Sequence, residues 1–299
     1  MLLRQNHVKG LQKRPVRTKE MKTQRLKRQL LWLPALILAI IWLVIAGAPF
    51  LFMVLSTFKT QFEILTGGVF SWPNAFYLNN YVAVIAGNFY RYFLNSVVVV
   101  SISLFLLLAI ASFASYPLAR FVFKGRGTIY SFIVSCMAVP IHIALIPIFM
   151  LTINIGIYDT IWALVGPYIA FNLPISVFIL TTFMQSIPKE IEQAAEIDGV
   201  GKYRMFFTIM LPLAKPGIAT LAIFNAINMW NEFVFAFVLT QSVNNRTLPL
   251  AIWEFQGQFT NHTPMIMTVL TLSAIPMVLA FIFFQDKLIK GMMVGAVKG

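Results

Sequence analysis

The chain alternates between long uncharged apolar runs and short clusters of charge. Between Arg28 and Lys59 lie 30 uncharged residues, between Arg91 and Arg120 28, between Arg126 and Asp159 32, between Asp159 and Lys189 29, and between Glu254 and Asp286 31. A sixth run of 30 residues, from Lys215 to Arg246, is interrupted only by Glu232. A membrane-spanning helix needs about 20 predominantly apolar residues. The pattern therefore predicts six transmembrane helices, roughly 31–56, 93–118, 129–151, 161–184, 217–239 and 265–284. A seventh gap, from Glu63 to Arg91, holds Gly67, Gly68, Pro73, Asn74, Asn79, Asn80, Gly87 and Asn88. These are turn formers, and lipid cannot satisfy a loop backbone. Residues 59–91 read as an extracytoplasmic loop with a short helix near 79–86.

Composition agrees with this pattern. Of 299 residues, 59% are hydrophobic and 11% charged, against about 25% charged in soluble domains. The fold class is an all-α membrane protein. The single cysteine, Cys136, excludes an internal disulfide or a cysteine-based zinc cage. The net charge of +13 is concentrated in residues 1–30, which hold ten basic side chains and one acid, Glu20. The arm lacks stacking aromatics, so it reads as a topology determinant near anionic lipid rather than a nucleic-acid binder. With the N-terminus inside, 20 of the 23 Lys and Arg residues fall on the cytoplasmic side and only Lys59, Arg91 and Arg246 outside. Both termini are expected in the cytoplasm. Ala46-Gly47-Ala48 resembles a signal-cleavage site, but the long apolar run and Pro49 favour an uncleaved anchor. The resulting plan is a basic arm over 1–30, a first helix over 31–58, the loop 59–91, a five-helix core over 92–285 containing a cytoplasmic loop over 185–216, and a cytoplasmic tail over 286–299.

The chain offers little catalytic chemistry. His7, His142 and His262 are far apart, and there is neither an HExxH nor a GxSxG motif. The stretch Gly201-Lys202-Tyr203 fails as a phosphate loop. Glu196 stands at its first glycine position and Tyr203 where Ser or Thr would bind magnesium. His142 reads as a packed helix residue and Cys136 as a small buried hydrophobe. Six prolines (Pro117, Pro140, Pro147, Pro167, Pro174 and Pro276) are spread over four spans, which suits kinked, cavity-lining helices. Glu232 is the clearest intramembrane charge, about 24 Å along helix five at about 1.5 Å per residue. An acid at that depth is expected to avoid lipid. Asn228, Trp230, Asn231 and Glu232 are the candidate substrate path, with Trp230 as a candidate stacking surface on it. On a continuous helix Asn228 shares the Glu232 face, and Asn231 lies about 100° away. Interhelical packing is the alternative role for this group.

The loop 185–216 predicts two short helices joined by a glycine break. Ser186 is placed to cap the first, Pro188 to open it, and Glu190 and Glu192 to suit its positive end. Gly199 ends it. Ile187, Ile191, Ala194, Ala195 and Asp198 fall near one face. A second helix, about 201–211, carries Tyr203, Phe206, Phe207 and Met210. This segment resembles the EAA loop of the permease subunits of binding-protein-dependent ABC importers, in which E-A-A is followed by three residues, Gly, nine residues and I-x-L-P. Here the spacing is Gln193-Ala194-Ala195, Gly199 and Ile209-Met210-Leu211-Pro212, with Asp198 before the glycine. Gln193 replaces the family Glu, and Glu192 is adjacent. Trp230-Asn231-Glu232-Phe233 and the terminal Gly295-Ala296-Val297-Lys298-Gly299 are similar to the carbohydrate-importing branch.

The resemblance implies a type I ABC importer permease core. Residues 187–198 would be a coupling helix seated on a cytoplasmic ATPase, with Glu192, Gln193, Ala194, Ala195, Asp198, Gly199, Leu211 and Pro212 carrying the contact. The implied partners are a second homologous permease, two ATPase subunits, an extracytoplasmic solute-binding protein, a carbohydrate substrate and membrane lipid. ATP and Mg would be held by the ATPases, with no cofactor, metal or catalytic residue on this chain. An ATP-independent channel or ion-coupled carrier is the rival reading, and it would want charges along several helices.

Overall fold

The computed structural model describes residues 17–68, 70–256 and 262–296. Most of the basic arm, and the last residues of the terminal motif, lie outside the described residues. The chain divides into two compact units, Met1–Phe52 and Met53–Gly299. Helix α1, Arg17–Thr57, starts fourteen residues before the expected boundary at 31. Glu20, Met21, Lys22, Gln24, Arg25, Leu26, Lys27 and Arg28 are strong helix formers, and the apolar run continues the same helix. From Trp32 to Ala46 α1 is apolar and exposed.

In the second unit the segment expected as a loop is partly helical. Helix α2, Gln61–Thr66, opens on a capping box, with Thr60 accepting from the Glu63 amide and Glu63 accepting from the Thr60 amide. Helix α3, Asn79–Ala86, lies where a short helix was expected. Asn80 is buried and donates to the carbonyls of Thr57 and Lys59 at 2.8 and 2.9 Å. Lys59 is also buried, with Nζ 3.0 Å from Ser71 Oγ. Turn-forming residues thus serve here as buried backbone ties.

The spans follow as α4, Phe89–Arg120; α5, Arg126–Ser135; α6, Ile141–Asn154; α7, Trp162–Ser186; then the loop with α8, Lys189–Ile197, α9, Lys202–Met205, and α10, Leu211–Leu213; and α11, Lys215–Trp230; α12, Val234–Leu239; and α13, Thr263–Ala296. Among the described residues, four helices are long and apolar enough to cross a membrane, and two bent pairs bring the number to as many as six. Expected helix three is one of these pairs. Its halves meet at 97° after a 3₁₀ turn, Cys136–Ala138. Pro140 lacks a donor and obstructs the Cys136 carbonyl, and Val139 before it takes an extended conformation. His142, in the first turn of α6, is exposed rather than packed, and Cys136 is only half-buried. Helix α13, Thr263–Ala296, runs through most of the segment expected as a tail.

Two apolar clusters lie at the two ends of α7. One gathers Tyr92, Val99, Leu107, Ala163, Tyr168, Trp230, Phe235 and Leu248. The other gathers Tyr116, Leu180, Met184, Ile187, Ala195, Met205, Phe206 and Met210, beneath the 185–216 loop. Twenty-five helical residues separate these ends by about 37 Å.

Candidate functional site

The loop that carries the sequence signature is a built structure. Helix α8, Lys189–Ile197, begins at Pro188, whose ψ of 136° is extended and whose missing N–H costs nothing there. Ser186 does not cap it. Its hydroxyl turns back to the Phe183 carbonyl of α7 at 2.7 Å, because Pro188 already sets the entry. At the other end Gly199 takes φ +78°. The Gly199 amide donates to Glu196 O at 3.0 Å and the Val200 amide to Ala195 O at 2.9 Å. That crossed pair satisfies carbonyls the helix leaves open, and it requires a residue at ease with positive φ.

The expected single face of α8 is split. Ile187 and Ala195 are buried against Tyr116, Leu180, Met184 and Met205. Ile191, Gln193, Ala194, Ile197 and Asp198 are exposed. Glu192 turns toward the body and forms an ion pair with Arg120 Nε at 2.6 Å, the two side chains being 14% and 3% exposed. Arg120 also donates from Nη2 to the Ile187 carbonyl at 2.7 Å. One guanidinium at the end of α4 therefore holds both the entry and the first turn of α8. The sequence reading missed Arg120, although it is the basic residue closing its span.

The second arm is helical as expected, but in a mixed register. Helix α9, Lys202–Met205, passes into a π-helical turn, Phe206–Met210, and then α10, Leu211–Leu213. Pro212 cannot donate to the Thr208 carbonyl and crowds it, and the Leu211 amide reaches back five residues to Phe206 O. Phe206 is buried and stacks on Phe113 at 5.0 Å between ring centroids, whereas Tyr203 and Phe207 are exposed. Leu211 is packed against the same cluster and Pro212 is exposed.

Expected helix five is not continuous. Helix α11, Lys215–Trp230, ends at Asn231, and helix α12, Val234–Leu239, begins after Phe233. Glu232 lies in the break. Its carboxylate accepts from the amides of Phe235 at 2.8 Å and Ala236 at 3.2 Å, capping α12, and also from the Tyr168 hydroxyl of α7. An acid at a helix N-terminus is favoured by the orphan amides and the dipole there. The register linking Asn228 to Glu232 on one face is thus lost, and Asn228 and Asn231 are both exposed. Asn231 donates to Ile227 O at 2.9 Å. Trp230 is buried, with Nε1 3.2 Å from Ser273 O and its ring edge-on to Phe93 at 5.7 Å. Its indole knits α11 to α4 and α13, which removes it as an open stacking surface. A buried polar tie missed in the sequence joins Asn225 of α11 to Ser176 of α7 at 3.0 Å. Among the described residues no three His, Cys, Asp or Glu side chains gather as a metal site.

Comparison with known proteins agrees with this architecture. Residues 106–294 match the model of the family described as binding-protein-dependent transport system inner membrane component. The chain is 51% identical to the ABC transporter permease protein ORF2 of Caldicellulosiruptor sp. (strain Rt8B.4) over 87% of this chain and 94% of that one. It is 33% identical to the trehalose/maltose transport system permease protein MalG of Thermococcus litoralis over 93% and 100% of the two chains. Among solved structures, a bacterial ABC transporter importing the acidic polysaccharide alginate superposes with a TM-score of 0.76 at 19% identity, over 87% of this chain and 97% of that one. A multi-pass apolar body and an α8 loop locked to its spans are what such a subunit needs. The chain belongs to the binding-protein-dependent transport system inner membrane components, the permease subunits of ABC importers, whose ATPase is a separate subunit.

Proposed function

We propose that this permease pairs with a second, homologous permease to form the path for a sugar or oligosaccharide. A solute-binding protein delivers the substrate, and two cytoplasmic ATPase subunits, which hold ATP and Mg, drive the cycle. The observation that carries the coupling role is the outer face of α8. Ile191, Ala194 and Ile197 are exposed on a helix whose opposite side is locked by Ala195 and the Arg120–Glu192 pair. An exposed apolar face with small residues suits a protein cleft, and Gln193 and Asp198 give it a polar edge. Gln193, where the family has Glu, sits on this outer face. The carbohydrate class is supported by the trehalose/maltose relative, and by an arabinooligosaccharide permease from Halalkalibacterium halodurans that is 33% identical over 85% of this chain. Both termini lie in the cytoplasm in this reading, with the polybasic arm beside anionic lipid.

The test is a pair of substitutions on the outer face, Ala194→Trp and Ile197→Asp, made in the whole transporter. Both variants are expected to insert and to retain the second permease while losing the ATPase subunits on purification. Recovery of the ATPases at wild-type stoichiometry with normal substrate stimulation would overturn the coupling role.

A further inference from the structure

At the end of α7 opposite α8, three aromatic rings form a track. Phe233 and Phe237 lie 5.6 Å apart between centroids with planes 7° from parallel, and Phe237 and Trp253 lie 5.2 Å apart at 25°. The three side chains are 38%, 51% and 46% exposed, so each leaves ring surface uncovered. The track joins two cavities. Phe233 borders one of about 210 Å³ beside Asn231 at the α11–α12 break. Phe237 and Trp253 border another of about 310 Å³, together with Tyr158, Gln241 and Arg246.

The rim of the larger cavity is fixed in place. Asp159 has φ +54°, uncommon for a residue with a side chain. Its carboxylate accepts from the amides of Gln241 and Ser242 at 2.7 and 2.8 Å and from the Ser242 hydroxyl. Its own amide donates to Leu239 O at 3.0 Å. The α6–α7 turn and the strand of chain after α12 are thereby tied together, and Tyr158 and Gln241 are carried on the two sides of that tie.

We infer that Phe233, Phe237 and Trp253, with Tyr158, Gln241 and Arg246, form a saccharide-binding track from the larger cavity to the α11–α12 break. This rests on the carbohydrate reading above and names the surface that receives the sugar. A pyranose or furanose ring presents C–H faces that lie against aromatic rings and hydroxyl edges that need hydrogen-bond partners. The track supplies both, with the edges and outer faces of an offset ring stack along its side and an amide, a phenol and a guanidinium at its end. A lipid chain has no use for the Gln241 amide or the Arg246 guanidinium, and burying either against it without a partner is costly. A rim held by Asp159 presents these groups with little ordering left to do on binding.

The experiment uses the assembled transporter with its binding protein in proteoliposomes. The probes are glucose; α- and β-linked di-, tri- and tetrasaccharides of glucose, xylose, arabinose and N-acetylglucosamine; and an alginate tetrasaccharide. Trp253→Leu and Phe237→Leu keep apolar bulk and remove the aromatic ring from the stack. Each is expected to raise KM about ten-fold for the longest saccharide transported, and less for its shortest homologue, while Trp253→Tyr stays within about three-fold of wild type. Gln241→Leu, at an exposed position, should raise KM in the same length-dependent way. Unchanged KM at every length in the Leu variants, or loss of the second permease in both Leu and Tyr variants at 253, overturns the track and makes this face a packing surface. A wild-type transporter that imports none of the probes overturns the carbohydrate reading itself.

Discussion

Removing Arg120 should loosen α8 far more than removing both members of its ion pair. The Arg120 and Glu192 side chains are almost excluded from water and meet at 2.6 Å. For charge centres about 4 Å apart, an effective dielectric of about 20 gives an attraction of about 4 kcal/mol. Much of this is offset by the desolvation of both groups. Taking away one partner leaves the other charge buried and unpaired, which costs about 3–5 kcal/mol. Arg120→Met also forfeits the bond to the Ile187 carbonyl. Amides of 189–200 that exchange by local opening should then lose about a hundred-fold or more of their protection, at about 1.4 kcal/mol per factor of ten. The Arg120→Met/Glu192→Met double variant removes the stranded carboxylate and should recover most of that protection. The assay is hydrogen exchange with peptide-level mass spectrometry on the assembled transporter, with substrate-stimulated ATP hydrolysis measured in parallel. Equal loss of protection in the single and double variants, or less than a three-fold change in Arg120→Met, would refute the claim that this pair holds α8.

Gly199→Val places a β-branched residue at φ +78°, with about 1–2 kcal/mol of backbone strain and no steric obstacle around it. It should fray the end of α8 and lower substrate-stimulated ATPase while sparing insertion, and Gly199→Asn should fall between Val and wild type. Glu232→Leu strips the cap from α12 and leaves two amides and the Tyr168 hydroxyl without their acceptor, a loss of about 1–3 kcal/mol for each buried group left unpaired. Thermal scans of the purified complex should rank wild type above Glu232→Gln and Gln above Leu, and equal melting of Gln and Leu would refute the capping role. Burial alone would raise the Asp159 pKa, but hydrogen bonds from Ser242, Gln241 and Asn245 outweigh it and hold the group below the ordinary carboxylate value. A depressed folded pKa contributes stability above the unfolded pKa and loses it as pH falls through the folded one. Exchange protection of 240–246, corrected for intrinsic rates, should therefore be flat from pH 7 to about 5 and decline only in stronger acid. Asp159→Asn should lose that protection at neutral pH.

The spans were legible because gaps between charges reflect the bilayer directly. The gaps after Arg91, Asp159 and Glu254 each hold a long helix, the gap after Arg126 holds a bent pair, and the gap after Lys215 holds α11 and α12. Gly199 was legible for a similar reason, since a positive-φ helix end has few chemical solutions. Breaks within the apolar runs were harder to see. Pro140 announced a kink but not a 97° turn, because proline fixes the fault while neighbouring packing sets its angle. The gap at 231–233 hid behind a run that reads as one helix by hydropathy. Asn231 followed by Glu232 is a helix end followed by a cap, a signal that an apolar count overlooks. Trp230 was misread for a different reason. Tryptophan suits both sugar stacking and core packing, and only the position of Ser273 and Phe93 decides between them. Arg120 was missed because its partner lies 72 positions away and no local spacing links them.

These particulars bear on how motion at α8 can reach the aromatic track. Helices α4 and α7 pack along one another, and α4 ends at the arginine that grips α8. At its other end α7 carries Tyr168 against Glu232. Two continuous helices, α4 and α7, thus connect α8 to the carboxylate that caps α12. The elements able to respond are those already interrupted: α5–α6 at Pro140, the bend of α11 against α9–α10 at Ala214, and α11–α12 at Glu232. Interrupted spans change angle by altering a few dihedrals, whereas a continuous helix must break hydrogen bonds to do so. Phe233 closes the last of these breaks and Phe237 sits on the short helix beyond it. A change in how Glu232 holds α12 would rotate those two rings against Trp253, which stands on a separate stretch of chain. If α8 meets the ATPases as proposed, the joint that makes helix five discontinuous links it to the proposed saccharide track through α7, a helix about 37 Å long.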